Sequence, residues 1–97
     1  MAGGSTVREQ VGAGDGIADI VVETSSTVYI IELKMDQKVD VAKNQIQDRR
    51  YADKYLHDEK YKNHKVIGIG LCFSSLNCHL VDKGAWKISS SDVVTLL

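Results

Sequence analysis

The residues with the most chemical potential are charged groups set where strands should be apolar. Tyr29-Ile30-Ile31-Glu32-Leu33-Lys34 is a hydrophobic run that carries a carboxylate and an amine two positions apart. Alternation along a strand aims both at one face. The preceding apolar run, Ile17-Ala18-Asp19-Ile20-Val21, brings a second carboxylate. An unpaired charge is expensive in such surroundings, and a bound cation would remove the expense. Two carboxylates converging from neighbouring strands supply the hard oxygen ligands that Mg²⁺ or Mn²⁺ prefers. An octahedral ion held by them keeps places for water and for a phosphate oxygen. That chemistry suits phosphodiester hydrolysis, with Asp19 and Glu32 as metal ligands. Lys34 would hold the attacking water or stabilise charge growing at phosphorus. Glu-x-Lys alone is common, and a strand-end ion pair explains it equally well. The carboxylate on the neighbouring strand is what makes the pattern informative.

The elements that must position these residues are legible from residue type. Thr6 to Val11 reads as a short strand that ends in the glycine-rich turn Gly12 to Gly16. Ile17 to Glu23 and Val28 to Lys34 are rich in Val and Ile and flank the polar turn Thr24 to Thr27, giving a three-strand meander. From Asp40 to Leu56 helix formers replace β-branched residues, no glycine or proline interrupts, and Asp40 is placed to cap the start. Val66 to Phe73 returns to an apolar strand buried on both faces. Cys78 to Val81 and Trp86 to Ser89 read as two short edge strands or a hairpin. The order β-β-β-α-β-β predicts an α/β (α+β) fold with a mixed sheet of about five strands and a crossover helix.

Composition limits the alternatives. The 97 residues suit one domain with one modest core, 1–97, with 1–5 flexible. The formal charge of −1 means that nucleic acid would be held by a local basic surface, for which Lys43, Arg49, Arg50 and Lys54 are candidates, although a solvated helix side explains them too. Two cysteines, Cys72 and Cys78, and no N-terminal apolar run point to a reducing, cytoplasmic compartment. No run approaches the roughly 20 apolar residues that a membrane span needs.

Gly14-Asp15-Gly16-Ile17-Ala18-Asp19-Ile20 followed by Ile30-Ile31-Glu32-Leu33-Lys34 resembles the PD-(D/E)XK nuclease superfamily. Ala42-Lys43-Asn44-Gln45-Ile46, Tyr51-Ala52-Asp53-Lys54-Tyr55 and Val66-Ile67-Gly68-Ile69-Gly70 with Phe73-Ser74-Ser75 resemble the nuclease-like domain appended to AAA-ATPase-like proteins. The resemblance runs from about Gly14 to Val81. It implies a restriction-endonuclease-like core and metal ligation by Asp19 and Glu32. It also implies catalysis by Lys34, a supporting polar role for Gln45, and nucleic acid as substrate, DNA ahead of RNA. Arg49, one turn from Gln45, is a further candidate at the site. Ala18 stands where the name-giving proline would be, and no helical segment precedes the first strand, where this superfamily has one. One sheet face is then uncovered, so either the chain is a fragment or another protomer or domain covers that face, with a homodimer as the expectation.

Three other readings have weaker support. The glycines from Gly12 to Gly16 lack both the dinucleotide spacing and the P-loop Lys-Ser/Thr, and a strand follows them. His57, His64, Cys72, Cys78 and His79 are scattered and contain no Cys-x-x-Cys pair, so no zinc site is expected. Tyr51, Tyr55, Tyr61 and Trp86 are assigned to packing rather than to base stacking or the site. The competing functional class is a catalytically inactive interaction or nucleic-acid-binding module on the same fold.

Overall fold

The computed structural model describes residues 4–13, 16–89 and 94–96. Six strands follow one another in sheet order: β1 (Thr6–Ala13), β2 (Gly16–Glu23), β3 (Thr27–Met35), β4 (Lys65–Phe73), β5 (Leu80–Ile88) and the short β6 (Val94–Leu96). β3 and β4 are parallel and every other pair is antiparallel. A parallel neighbour requires a crossover, and the chain between β3 and β4 supplies it with α1 (Val39–Asp48), α2 (Asp53–His57) and a 3₁₀ turn, Glu59–Tyr61. The mixed sheet with a helical crossover matches the architecture expected from the sequence. Parts of the expected flexible tip (1–3) and glycine-rich turn (14–15) lie outside the described residues.

The helices all lie on one face of the sheet. Val21, Val28, Ile30, Val66 and Trp86 of the strands meet Ile46, Tyr51, Tyr55 and Tyr61 of the crossover in one buried cluster. Two glycines of β4 make the close approach possible. A Cβ on Gly70 would come within 2.7 Å of Val39 Cγ2 and 2.9 Å of Ala42 Cβ, so α1 rests directly on that strand. A Cβ on Gly68 would stand 2.5 Å from the Trp86 indole, which lies flat over the same strand.

The single helix predicted over Asp40 to Leu56 is corrected to two. Val39, Ala42 and Ile46 face the sheet at helical spacing, and continuing that phase would send Arg49, Arg50 and Asp53 inward. The chain instead stops in a Schellman turn: Arg50 takes φ 52°, its N–H donates to the Gln47 carbonyl, and the Tyr51 N–H donates to the Ile46 carbonyl. A left-handed conformation on a non-glycine residue costs roughly 1–2 kcal/mol. It rephases the chain so that Tyr51, Ala52 and Tyr55 become buried instead of the charges.

Asp40 is not the cap either. Lys38 precedes α1 without a side-chain cap bond, and Asp82 of β5 accepts the Val39 N–H at 2.8 Å. The two edge strands expected around Cys78 and Trp86 are one strand, β5, which runs through Gly84. The Thr24 turn agrees with the sequence reading, its hydroxyl accepting the Thr27 N–H at 2.9 Å. No described helix is long and apolar enough to cross a membrane.

The other sheet face carries no element among the described residues. β4 therefore departs from the expectation of two buried faces: Val66, Gly68, Gly70 and Cys72 are buried under the helices, while Ile69, Leu71 and Phe73 are half-exposed behind.

Candidate functional site

Glu32 and Lys34 project from β3 on the helical face, as alternation requires, and their charges lie 3.9 Å apart. Glu32 is 1% exposed, the most deeply buried charged residue described. Its position follows from register. It lies opposite Gly70, beneath the place where α1 comes closest to the sheet.

Asp19 reaches the same point from β2. The regular pairing of β2 with β3 ends at Ile20 and Ile31, where the strands begin to separate. The Asp19 carboxylate takes over at that point, Oδ2 accepting the Leu33 N–H at 2.8 Å. The Asp19 N–H in turn lies 3.4 Å from Glu32 Oε1, a long hydrogen bond. The two acidic side chains are thus fixed by the main chain of each other's strands. Burial, and then the neighbouring Asp19 charge, push the Glu32 carboxyl up to about 7, with Lys34 opposing.

Gln45 completes the arrangement from α1, one turn beyond Ala42. Its Nε2 donates to Glu32 Oε2 at 2.6 Å, and its Oε1 accepts from the Lys34 ammonium. The amide sits between the acid and the base and fixes which way each points. Gln45 Nε2 also donates to the Tyr51 hydroxyl at 3.0 Å. Tyr51 packs in the core as expected, and the Schellman turn that drives it inward also brings its hydroxyl to Gln45, a contact the sequence reading did not assign. Without a glycine at the turn, the sequence held no local signal for this.

Arg49, expected as a candidate at the site, is exposed at the end of α1, and no described hydrogen bond or ion pair joins it to Glu32 or Asp19. The other basic residues are occupied locally. Lys43 lies 5.9 Å over the Trp86 ring and Lys54 5.4 Å over Tyr55, while Arg50 is 3.5 Å from Asp53.

The donor set suits a hard cation. Two carboxylates meet, and burial together with the neighbouring Asp19 charge disfavours the ionised form of Glu32, a cost that a bound cation would relieve. Among the described residues no group of three or more His, Cys, Asp or Glu side chains forms a metal cluster. Mg²⁺ commonly completes such a pair with main-chain oxygens, water or substrate. Cys72 is buried and Cys78 exposed, both as free thiols.

Compared with known proteins, residues 1–83 match the family model described as the PD-(D/E)XK nuclease superfamily. No curated protein and no solved structure matches the chain.

Proposed function

Because the chain belongs to the PD-(D/E)XK nuclease superfamily, we propose that it is a metal-dependent nuclease domain hydrolysing phosphodiester bonds of nucleic acid, DNA ahead of RNA. The observation that carries the reading is the pairing of half-buried Asp19 with buried Glu32, and Lys34 joined to Glu32 through one amide. In this reading Asp19 and Glu32 hold Mg²⁺ or Mn²⁺. Such a cation supplies, when bound, a lowered pKa for water and neutralisation of phosphate charge.

The chain's own residues do the rest. Lys34 presents a cation beside the carboxylates, where it orients the attacking water or meets a phosphate oxygen as charge grows on it. Water oxygen forms the new bond to phosphorus, the bond to the leaving oxygen breaks, and that oxygen takes up a proton. Gln45 keeps the ammonium from closing fully onto Glu32, so the charge stays available. The resemblance of residues around Gln45, Tyr51 and Val66 to the nuclease-like domain of AAA-ATPase-like proteins supports the same reading. We further read the chain as one cytoplasmic domain, with a second copy or a partner domain on its uncovered sheet face.

The test is cleavage of labelled single-stranded, duplex and branched DNA, with RNA alongside, in Mg²⁺, Mn²⁺ and EDTA. Wild type is expected to cut only with metal, and Lys34→Ala to cut at least about 100-fold more slowly while keeping its fold. Equal cutting by both proteins would trace the activity to a contaminant. A folded wild type that cuts nothing would favour the inactive interaction module.

Tyr51 gives a second measurement. Tyr51→Phe removes the hydroxyl that Gln45 Nε2 donates to and leaves the ring in the core. A supporting hydrogen bond of this kind is typically worth about 10–100-fold in activity or metal affinity. The expected result is a fall in turnover of about tenfold with near-unchanged melting. Turnover equal to wild type would reduce Tyr51 to packing.

A further inference from the structure

The uncovered face of the sheet is ordered into rows by the strand register. One row reads Val7, Val22, Tyr29, Ile67, Lys87 from β1 to β5, and the next Glu9, Ile20, Ile31, Ile69, Ala85. Two further rows add Leu33, Leu71, Lys83 and then Met35, Phe73, Leu80. Across these four rows the three central strands are apolar on this side. Charge stands at the flanks, acidic on β1 at Glu9 and basic on β5 at Lys83 and Lys87, and at the start of β4 at Lys65, which lies beside Thr27; all four charged residues are exposed.

The sixteen positions of these rows, each about 4.8 by 6.6 Å, give a flat area of roughly 500 Å². That lies within the range of the largest apolar patch on ordinary monomers. Doubled, it reaches roughly 1,000 Å², the least that a specific interface needs.

We propose that this face is covered by a second copy of the chain, the sheets packing face to face about a two-fold axis parallel to β3. The flanking charges select that axis. A two-fold axis along the strands places β3 over β3 and β1 of one protomer over β5 of its partner. Glu9 then comes over the position of Ala85, between Lys83 and Lys87. An axis across the strands would set like charge against like charge. The arrangement is isologous, so each attraction occurs twice, and aligned sheets about 10 Å apart form the core between them. Both candidate sites then face outward, on the helical sides, and remain open to substrate. The proposal deepens the assembly reading given above, choosing the second copy over a partner domain, and it does not depend on turnover.

Sedimentation velocity of the 97-residue chain across the micromolar range tests it, with circular dichroism to verify the fold of each variant. Wild type is expected to be a dimer. Glu9→Lys alone, and Lys83→Glu with Lys87→Glu, should each weaken association about tenfold, because symmetry doubles a modest surface pair. Combining all three reversals should restore the dimer to within a few-fold of wild type. These positions are exposed, so the variants should fold. A monomeric wild type would overturn the proposal and assign the face to another chain or segment, and a dimer in which the reversals add rather than cancel would overturn the axis. Metal-dependent cleavage, measured on the same samples, reports on the nuclease reading separately.

Discussion

Glu32→Gln is expected to abolish metal-dependent cleavage, by about 10³-fold, and at the same time to raise the melting temperature measured in EDTA. The two effects share one cause. The Glu32 carboxyl is 1% exposed, lies beside Asp19, and is pushed from 4.5 up to about 7. An acid with a raised folded-state pKa retains its proton in the native state while the unfolded chain has lost it. Native protein then binds more protons than unfolded protein between pH 4.5 and about 7, so stability falls as pH rises through that window.

Above it the penalty is constant, on the order of 3 kcal/mol. Glutamine carries no such penalty, and its carbonyl can still accept from Gln45. For a domain of this size the relief corresponds to a Tm rise on the order of 10 °C near neutral pH. Below pH 4.5 the two proteins should melt alike. Divalent cation should raise the Tm of wild type and leave that of the variant nearly unchanged, because binding to the folded state alone stabilises by mass action. Thermal melts over pH 4 to 8 with and without Mg²⁺ measure all of this. Parallel pH curves for the two proteins would show that Glu32 is not a strained acid and remove the argument for a cation beside it.

Gly68→Ala should be strongly destabilising for a single added methyl. The new Cβ would lie 2.5 Å from Trp86 Cε2 and Nε1 and 2.8 Å from Cζ2. These are atoms of a rigid ring that is itself 1% exposed, so no flexible tip can swing aside. Overpacking of this kind costs about 1–3 kcal/mol and occasionally more, which lowers Tm by roughly 10–20 °C here. Activity should fall with it, since Trp86 belongs to the floor on which the crossover rests and Lys43 of α1 lies over its ring.

The companion variant Trp86→Phe removes the ring atoms that collide. Alone it should destabilise, because it leaves a void. With Gly68→Ala the loss should be smaller than the sum of the two single changes. Chemical denaturation of the four proteins gives the coupling directly. Simple additivity would mean that the indole relaxes away from the strand and that Gly68 has no special packing role.

Much of this protein was determined by its sequence. The order of strands, the crossover and the convergence of Asp19, Glu32 and Lys34 follow from alternation and from charges set within Val- and Ile-rich runs, both of which are local. Gln45 entered through resemblance, and the structure places it between Glu32 and Lys34.

What tertiary structure alone decided has a common physical origin in competition for burial. Helix propensity favours an unbroken segment from Asp40 to Leu56. The sheet, however, rewards Tyr51, Ala52 and Tyr55 over Arg49, Arg50 and Asp53, and the gain from burying two tyrosines exceeds the cost of one left-handed arginine. That break brings the Tyr51 hydroxyl to Gln45. Asp82 caps α1 from 43 residues away, a pairing that no local pattern could announce. The same is true of the fusion of two expected edge strands into β5, because Gly84 reads as a break until α1 is seen to lie against it, a Cβ there meeting Val39 Cγ2 at 3.1 Å. Local chemistry chose the reactive groups, and packing against the sheet decided which neighbours hold them.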